Sequence, residues 1–94
     1  MIPADDLPNQ LEGALFLDVR KPHEIAETGT VPGALRIPID ELEARLDELP
    51  RDQPYITACN GGGRGKRAAE LLAQNGFQVK GSAGLRHYQG PREP

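Results

Sequence analysis

Apolar residues fall in short blocks along the chain, separated by proline, glycine and acidic residues. Ala14-Leu15-Phe16-Leu17 is an unbroken apolar run leading into Asp18-Val19-Arg20. A run without polar alternation predicts a strand covered on both faces, as in a parallel sheet. Leu35-Arg36-Ile37 predicts a short strand stopped by Pro38, Tyr55-Ile56-Thr57-Ala58 another, and Phe77-Gln78-Val79 a last one. Between them the spacing turns helical. Pro22 to Glu27 accommodates one turn, with Pro22 near its start. Asp40-Glu41-Leu42-Glu43 predicts a helix with Asp40 as N-cap and Glu43 three residues on. Leu42, Leu46 and Leu49 form its apolar stripe, and Pro50 ends it. A third helix runs from Lys66 to about Asn75, with Ala68, Leu71 and Leu72 inward and Gly76 as the C′ residue. Thr28 to Gly33 and Gly81-Ser82-Ala83-Gly84 are loops by composition, the second followed by a helical turn at Leu85–Tyr88. Residues 1–12 read as an edge segment and a short helical turn anchored by Leu7 and Leu11, and both this segment and the tail at residues 91–94 are expected to be loosely ordered. The alternation of strands and helices predicts an α/β fold with a mainly parallel sheet.

A chain of 94 residues with no repeat or linker is expected to form one domain spanning residues 1–94. The net charge of −3 argues against a nucleic-acid partner, whose affinity would rest on basic patches. No apolar run approaches a membrane span, and the N-terminus lacks the features of a signal peptide. A single cysteine cannot close an internal disulfide, and no Cys/His cluster has metal-ligand spacing, so no metal is expected. A free thiol fits a cytoplasmic location.

That cysteine is the chemical centre of the sequence. Cys59 ends a strand and opens the glycine-rich loop Asn60-Gly61-Gly62-Gly63-Arg64-Gly65, from which a helix departs. A strand–loop–helix turn aims backbone N–H groups at one spot, and the helix dipole adds positive potential there. Such a setting favours a thiolate over a thiol. Open parallel sheets bind ligands at the carboxyl ends of their strands, which is where Cys59 lies. Arg64 opposes the helix dipole, and an unfavourable cation at that place suggests a ligand of opposite sign. Lys66 and Arg67 read as an ordinary solvated face.

Several segments in order resemble the rhodanese family of sulfurtransferases: Leu17-Asp18-Val19-Arg20, His23-Glu24-Ile25, Gly29 to Ala34, Ile37-Pro38, Cys59 to Arg64, and the small-residue loop before Leu85. The resemblance covers about Leu15 to Pro91. It implies a small, mostly parallel sheet of about five strands flanked by helices. It implies that Cys59 is the nucleophile, attacking the sulfane sulfur of an anionic donor such as thiosulfate to form a persulfide. Cyanide or a biological thiol then accepts the sulfur, and no cofactor is needed beyond that covalent intermediate. Asn60, Gly61, Gly62, Gly63, Arg64 and Gly65 are the substrate-binding candidates, their N–H groups cradling diffuse charge and Arg64 offering a planar fork for a sulfonate-like group. Asp18, Arg20 and Glu24 read as a structural ion pair or loop brace beside the site. The sequence departs from the family at Thr30, where histidine is frequent. It departs at Gly65, where a small hydroxyl residue is common, at Ala83-Gly84 in place of Gly-Gly, and at Tyr88 in place of tryptophan.

Two other functions compete with turnover. One is a relay module that carries persulfide to a sulfur-acceptor protein, which keeps the same cysteine. The other is a cysteine-based phosphatase or arsenate reductase. Phosphate demands a wider loop with arginine six positions after the cysteine; that position is Gly65.

Overall fold

The computed structural model describes residues 1–94. The short helix α1 (Leu7–Gln10) precedes strand β1 (Leu15–Asp18), which leads to α2 (Pro22–Thr28) and β2 (Leu35–Arg36). Helix α3 (Ile39–Leu42) continues as a 3-10 helix over Glu43–Glu48. The chain then enters β3 (Tyr55–Cys59), α4 (Gly63–Gln74) and β4 (Val79–Gly84). All strand pairings are parallel, in the order β2-β1-β3-β4. The sheet thus has four strands against the expected five or so. Ile2 bridges Ala83 in parallel and extends the β4 edge.

Successive strand residues face opposite sides of the sheet, and each side has its own core. Leu17, Tyr55 and Cys59 face α3 and α4, packing with Leu42, Ala68 and Leu72. Phe16, Ile56 and Ala58 face the other way, against Leu7, Leu85 and Tyr88. This two-sided cover explains the unbroken apolar run at β1 and the fully buried pattern of β3. From β1 the chain moves outward to β2, and then crosses back to β3 on the other side of β1. The carboxyl ends of β1 and β3 therefore flank a topological switch point, where open α/β sheets bind ligands.

Five local expectations need correction. Helix α4 starts at Gly63, not Lys66, because Gly62 adopts a left-handed φ of +100° and turns the chain directly into the helix. Asp40 is not an N-cap: Pro38 holds that position with extended backbone, and Asp40 lies in the first turn. The α-helix gives way to 3-10 geometry after Leu42, yet Leu42, Leu46 and Leu49 still reach one core. Residues 81–84 are not a loop but most of β4, which starts at Val79 rather than Phe77. Leu85–Tyr88 is a turn closed by the Tyr88 N–H on the Leu85 carbonyl at 3.2 Å, without helix.

The tail, expected to be loose, is hydrogen-bonded. Thr30 and Glu93 exchange main-chain hydrogen bonds of 2.9 and 2.8 Å. Arg36 donates to the Glu93 carboxylate and to the Pro94 carbonyl. No helix is long and apolar enough to cross a membrane.

Candidate active site

The site is built where β3 ends. Thr57 sits opposite Leu17 and Ala58 opposite Asp18, so the chain after β1 and the chain after β3 emerge side by side. Cys59 closes β3 with only 2% of its surface exposed. Its sulfur is not sealed in hydrocarbon. The Gly62 N–H points at Sγ from 3.0 Å and the Gly65 N–H from 3.3 Å. Both belong to the loop and first turn of α4, where the helix dipole is positive. Of the six residues expected to cradle the sulfur, these two amides do so directly. The N–H groups of Asn60, Gly61, Gly63 and Arg64 have no acceptor within the protein. They remain available to an anionic ligand.

Gly65 is fixed by close packing as well. A Cβ there would lie 3.2 Å from both the Ala58 Cα and the Thr57 carbonyl oxygen. The Thr57 hydroxyl donates to the Gly65 carbonyl at 2.6 Å, pinning the first turn of α4 to β3. Sequence reasoning considered a missing hydroxyl at position 65 but not this bond. The sequence held a signal for it, a β-branched hydroxyl residue inside an otherwise apolar strand, which when buried needs a partner.

On the β1 side the loop meets a polar network. Arg20 is 1% exposed and Asp18 fully buried, and they pair at 2.7 Å with both side chains shielded from water. The Thr30 hydroxyl donates to the Asp18 carboxylate at 2.7 Å. Thr30, one of the departures from the family pattern, therefore serves the brace. Arg20 also donates to the Thr28 hydroxyl, the Gly29 carbonyl and the Asn60 side-chain oxygen. The Asn60 amide in turn donates to Glu24 at 3.1 Å. Glu24 receives both Arg64 guanidinium nitrogens, at 2.7 and 2.9 Å, and the Lys21 N–H at 2.9 Å. Asp18, Arg20 and Glu24, with the side chains of Asn60 and Arg64, thus make one hydrogen-bonded network beside the loop.

The Arg64 fork is consequently engaged by a carboxylate within the protein. Hydrogen bonding from Arg64 pulls the Glu24 carboxyl from its ordinary 4.5 down to about 2, against the opposing effect of burial. The Arg64 guanidinium is held above its usual value, first by Glu24 and to a smaller degree by Cys59. No three or more His, Cys, Asp or Glu side chains converge as metal ligands would.

On the β4 side the approach is main chain against main chain. The Leu85 N–H donates to the Cys59 carbonyl at 2.8 Å, and the Arg86 N–H to the Asn60 carbonyl at 3.2 Å. A Cβ on Gly84 would lie 2.8 Å from the Asn60 carbonyl oxygen. Gly84 packs directly on the nucleophile loop, from the end of a strand whose small-residue composition predicts a loop. A glycine next to a short β-prone run is itself a sign of close backbone approach.

A sequence model of the rhodanese-like domain matches residues 3–89. The chain belongs to the rhodanese-like domain family. This rhodanese-like domain is 36% identical over 66 residues to a sulfurtransferase of Allochromatium vinosum, covering 70% of the present chain and 61% of that protein. The chain therefore spans less than two thirds of that relative's length. It is 34% identical over 91 residues to a human thiosulfate:glutathione sulfurtransferase, covering 82% of the chain and 74% of the relative. Among solved structures, a rhodanese-related protein from Thermoplasma volcanium superposes with a TM-score of 0.79 at 35% identity, covering 88% and 82% of the two chains. The α/β architecture with a parallel sheet flanked by helices is that of the family.

Proposed function

We propose that this rhodanese-like domain is a sulfurtransferase that moves sulfane sulfur from a thiosulfate-like anion, through a Cys59 persulfide, to cyanide or a thiol. The observation that carries the reading is the pair of amides, from Gly62 and Gly65, that meet at Sγ of the only cysteine. Donors fixed in place stabilise a thiolate before reaction without reorganising during it. The thiolate attacks the outer sulfur of thiosulfate, the sulfur–sulfur bond breaks, and sulfite leaves with the electron pair. The terminal persulfide sulfur then carries the negative charge. The amides of Asn60, Gly61, Gly63 and Arg64, which have no protein acceptor, are available to receive it. Cyanide attacks that terminal sulfur, thiocyanate leaves, and the Cys59 thiolate is restored. Two displacements on one nucleophile give ping-pong kinetics. No cofactor takes part in these steps.

The position where a phosphoryl group would need its arginine is Gly65. Glu24 also occupies the fork of the one arginine the loop has, Arg64. Both work against the phosphatase alternative. The reading is tested by intact mass after incubation with thiosulfate. The wild type should gain one sulfur and lose it on addition of cyanide, whereas Cys59→Ser should gain none. A wild type that stays at its starting mass, or an adduct that persists in Cys59→Ser, overturns it. Full loading with negligible turnover would favour persulfide relay to an acceptor protein.

A further inference from the structure

Six of the eight arginines are engaged, and of the two without a partner Arg67 lies on the exposed face of α4, away from the loop-lining clefts. Arg20 is paired with Asp18, Arg36 with Glu93, Arg45 with Glu41 and Glu48, and Arg64 with Glu24. Arg51 donates to the Asn75 carbonyl and covers the Phe77 ring, and Arg92 donates to four main-chain carbonyls. Arg86 makes neither an ion pair nor a side-chain hydrogen bond. Its backbone is fixed by the N–H bond to the Asn60 carbonyl, and its guanidinium nitrogens lie 3.5 and 3.7 Å from where a Gly61 Cβ would stand. The free cation therefore hangs over the nucleophile loop itself. It lines a cleft of about 240 Å³ with Asn60, Gly61, Gly84 and His87. On its other side it lines a second opening, of about 250 Å³, with Asn60, Thr28 and Arg92.

We propose that Arg86, rather than Arg64, selects the anionic end of the sulfur substrate at the Cys59 loop. This deepens the sulfurtransferase reading and rests on it for the identity of the donor, a small sulfonate-like dianion. The charge balance of the surroundings supports the assignment. Asp18 cancels Arg20 and Glu24 cancels Arg64, so neither pair leaves a net charge at the loop. Arg86 and Arg92 have no carboxylate partner. No carboxylate lines the Arg86 cleft; Asp5 lines an adjoining depression with His87, and Glu24, which reaches Asn60, is paired with Arg64. Asn60 and Gly61, whose N–H groups have no acceptor within the protein, line the same cleft as Arg86. A cation beside main-chain donors that lack partners suits an anion, and the nucleophile immediately precedes Asn60 in the chain. A guanidinium presents two parallel N–H groups, which match a sulfonate edge as they match a carboxylate.

The test uses the full chain and two reagents with the same chemistry and different charge. Cys59 attacks the divalent sulfur of a methanethiosulfonate, and methanesulfinate leaves, giving a mixed disulfide. Because Cys59 is the only cysteine, the rate reports this site alone. The ratio of rates for anionic sulfonatoethyl methanethiosulfonate and neutral methyl methanethiosulfonate should fall about three- to tenfold in Arg86→Gln. It should fall further in Arg86→Glu, fall less in Arg86→Lys, which keeps the charge and loses the fork, and shrink at high salt in the wild type. The neutral rate should not change, which excludes damage to the loop. In steady state, Arg86→Gln should lower kcat/KM for the thiosulfate dianion by a similar factor and kcat/KM for the cyanide monoanion by less. An unchanged reagent ratio in Arg86→Gln overturns the proposal. A wild type that takes no sulfur from thiosulfate, yet shows the Arg86-dependent ratio, supports anion selection and instead sinks the choice of donor in the sulfurtransferase reading.

Discussion

The nucleophile loop is held from two sides by different physics. Against β1 and α2 it rests on side chains: buried Asp18 and Arg20, then Asn60, Glu24 and Arg64, linked by charge-assisted hydrogen bonds. Against β4 it rests on main chain, with two backbone hydrogen bonds and a glycine whose missing Cβ leaves room for the Asn60 carbonyl. The first side depends on which groups are present and on their protonation. The second depends on what is absent. Both converge on Asn60, whose side chain belongs to the first and whose carbonyl belongs to the second. The loop can therefore be disturbed in two separable ways, by titration or by bulk.

The largest effect is expected from Arg20→Ala. It leaves Asp18 buried without its cation, and breaking a buried pair in this way costs about 3–5 kcal/mol. Chemical denaturation should show the loss as a lower midpoint. A cost below about 1 kcal/mol would mean that the side-chain half of the frame contributes little.

Gly84→Ala attacks the other half. Its Cβ would lie 2.8 Å from the Asn60 carbonyl oxygen, so either β4 or the loop must shift. Overpacking of this kind costs about 1–3 kcal/mol. Thiosulfate turnover should fall along with stability, because the displaced group is the residue next to Cys59. Wild-type kinetics in Gly84→Ala would show that the close approach has no bearing on the site.

Glu24→Gln is expected to be the mildest for folding and the most informative about pH. Glu24 has its carboxyl depressed from 4.5 to about 2 in the folded protein. A depressed acid contributes stability that is complete above its unfolded value and disappears as pH falls through the folded one. The wild type should therefore lose stability between about pH 5 and pH 2, and Glu24→Gln should lose less over that window. If the two stability curves run parallel there, the Glu24–Arg64 pair is not a determinant of acid sensitivity.

Much of this frame was legible in the sequence where the signal is local. The apolar run at Leu15–Leu17 gave a buried strand, the cysteine and glycines gave the loop, and Gly76 gave the end of α4 with a φ of +84°. The resemblance placed Asp18, Arg20 and Glu24 beside the site. What escaped was set by partners distant in the chain. β4 contains Gly81, Ser82, Ala83 and Gly84, which have little intrinsic preference for a strand; they become one because β3 lies alongside and Ile2 pairs beyond. The engagement of Arg64 by Glu24, forty positions earlier, has no local signature. Nor does the position of Arg86 over Gly61, which follows from the register Cys59 with Gly84 at the end of the sheet. Asp40 misled because its capping spacing is real but Pro38 had already begun the helix two residues earlier.

Arg92 carries a further consequence. It donates to the carbonyls of Thr28 and Gly29 on one side and of Leu85 and Tyr88 on the other. The Gly29 carbonyl also accepts from Arg20. One side chain near the C-terminus thus clasps the turn after α2 to the turn after β4 and closes a ring around the cysteine. The family match stops at residue 89, three positions short of that clasp. Trimming the protein to the matched span would leave every residue of the nucleophile loop in place and remove the fastener that joins its two supports.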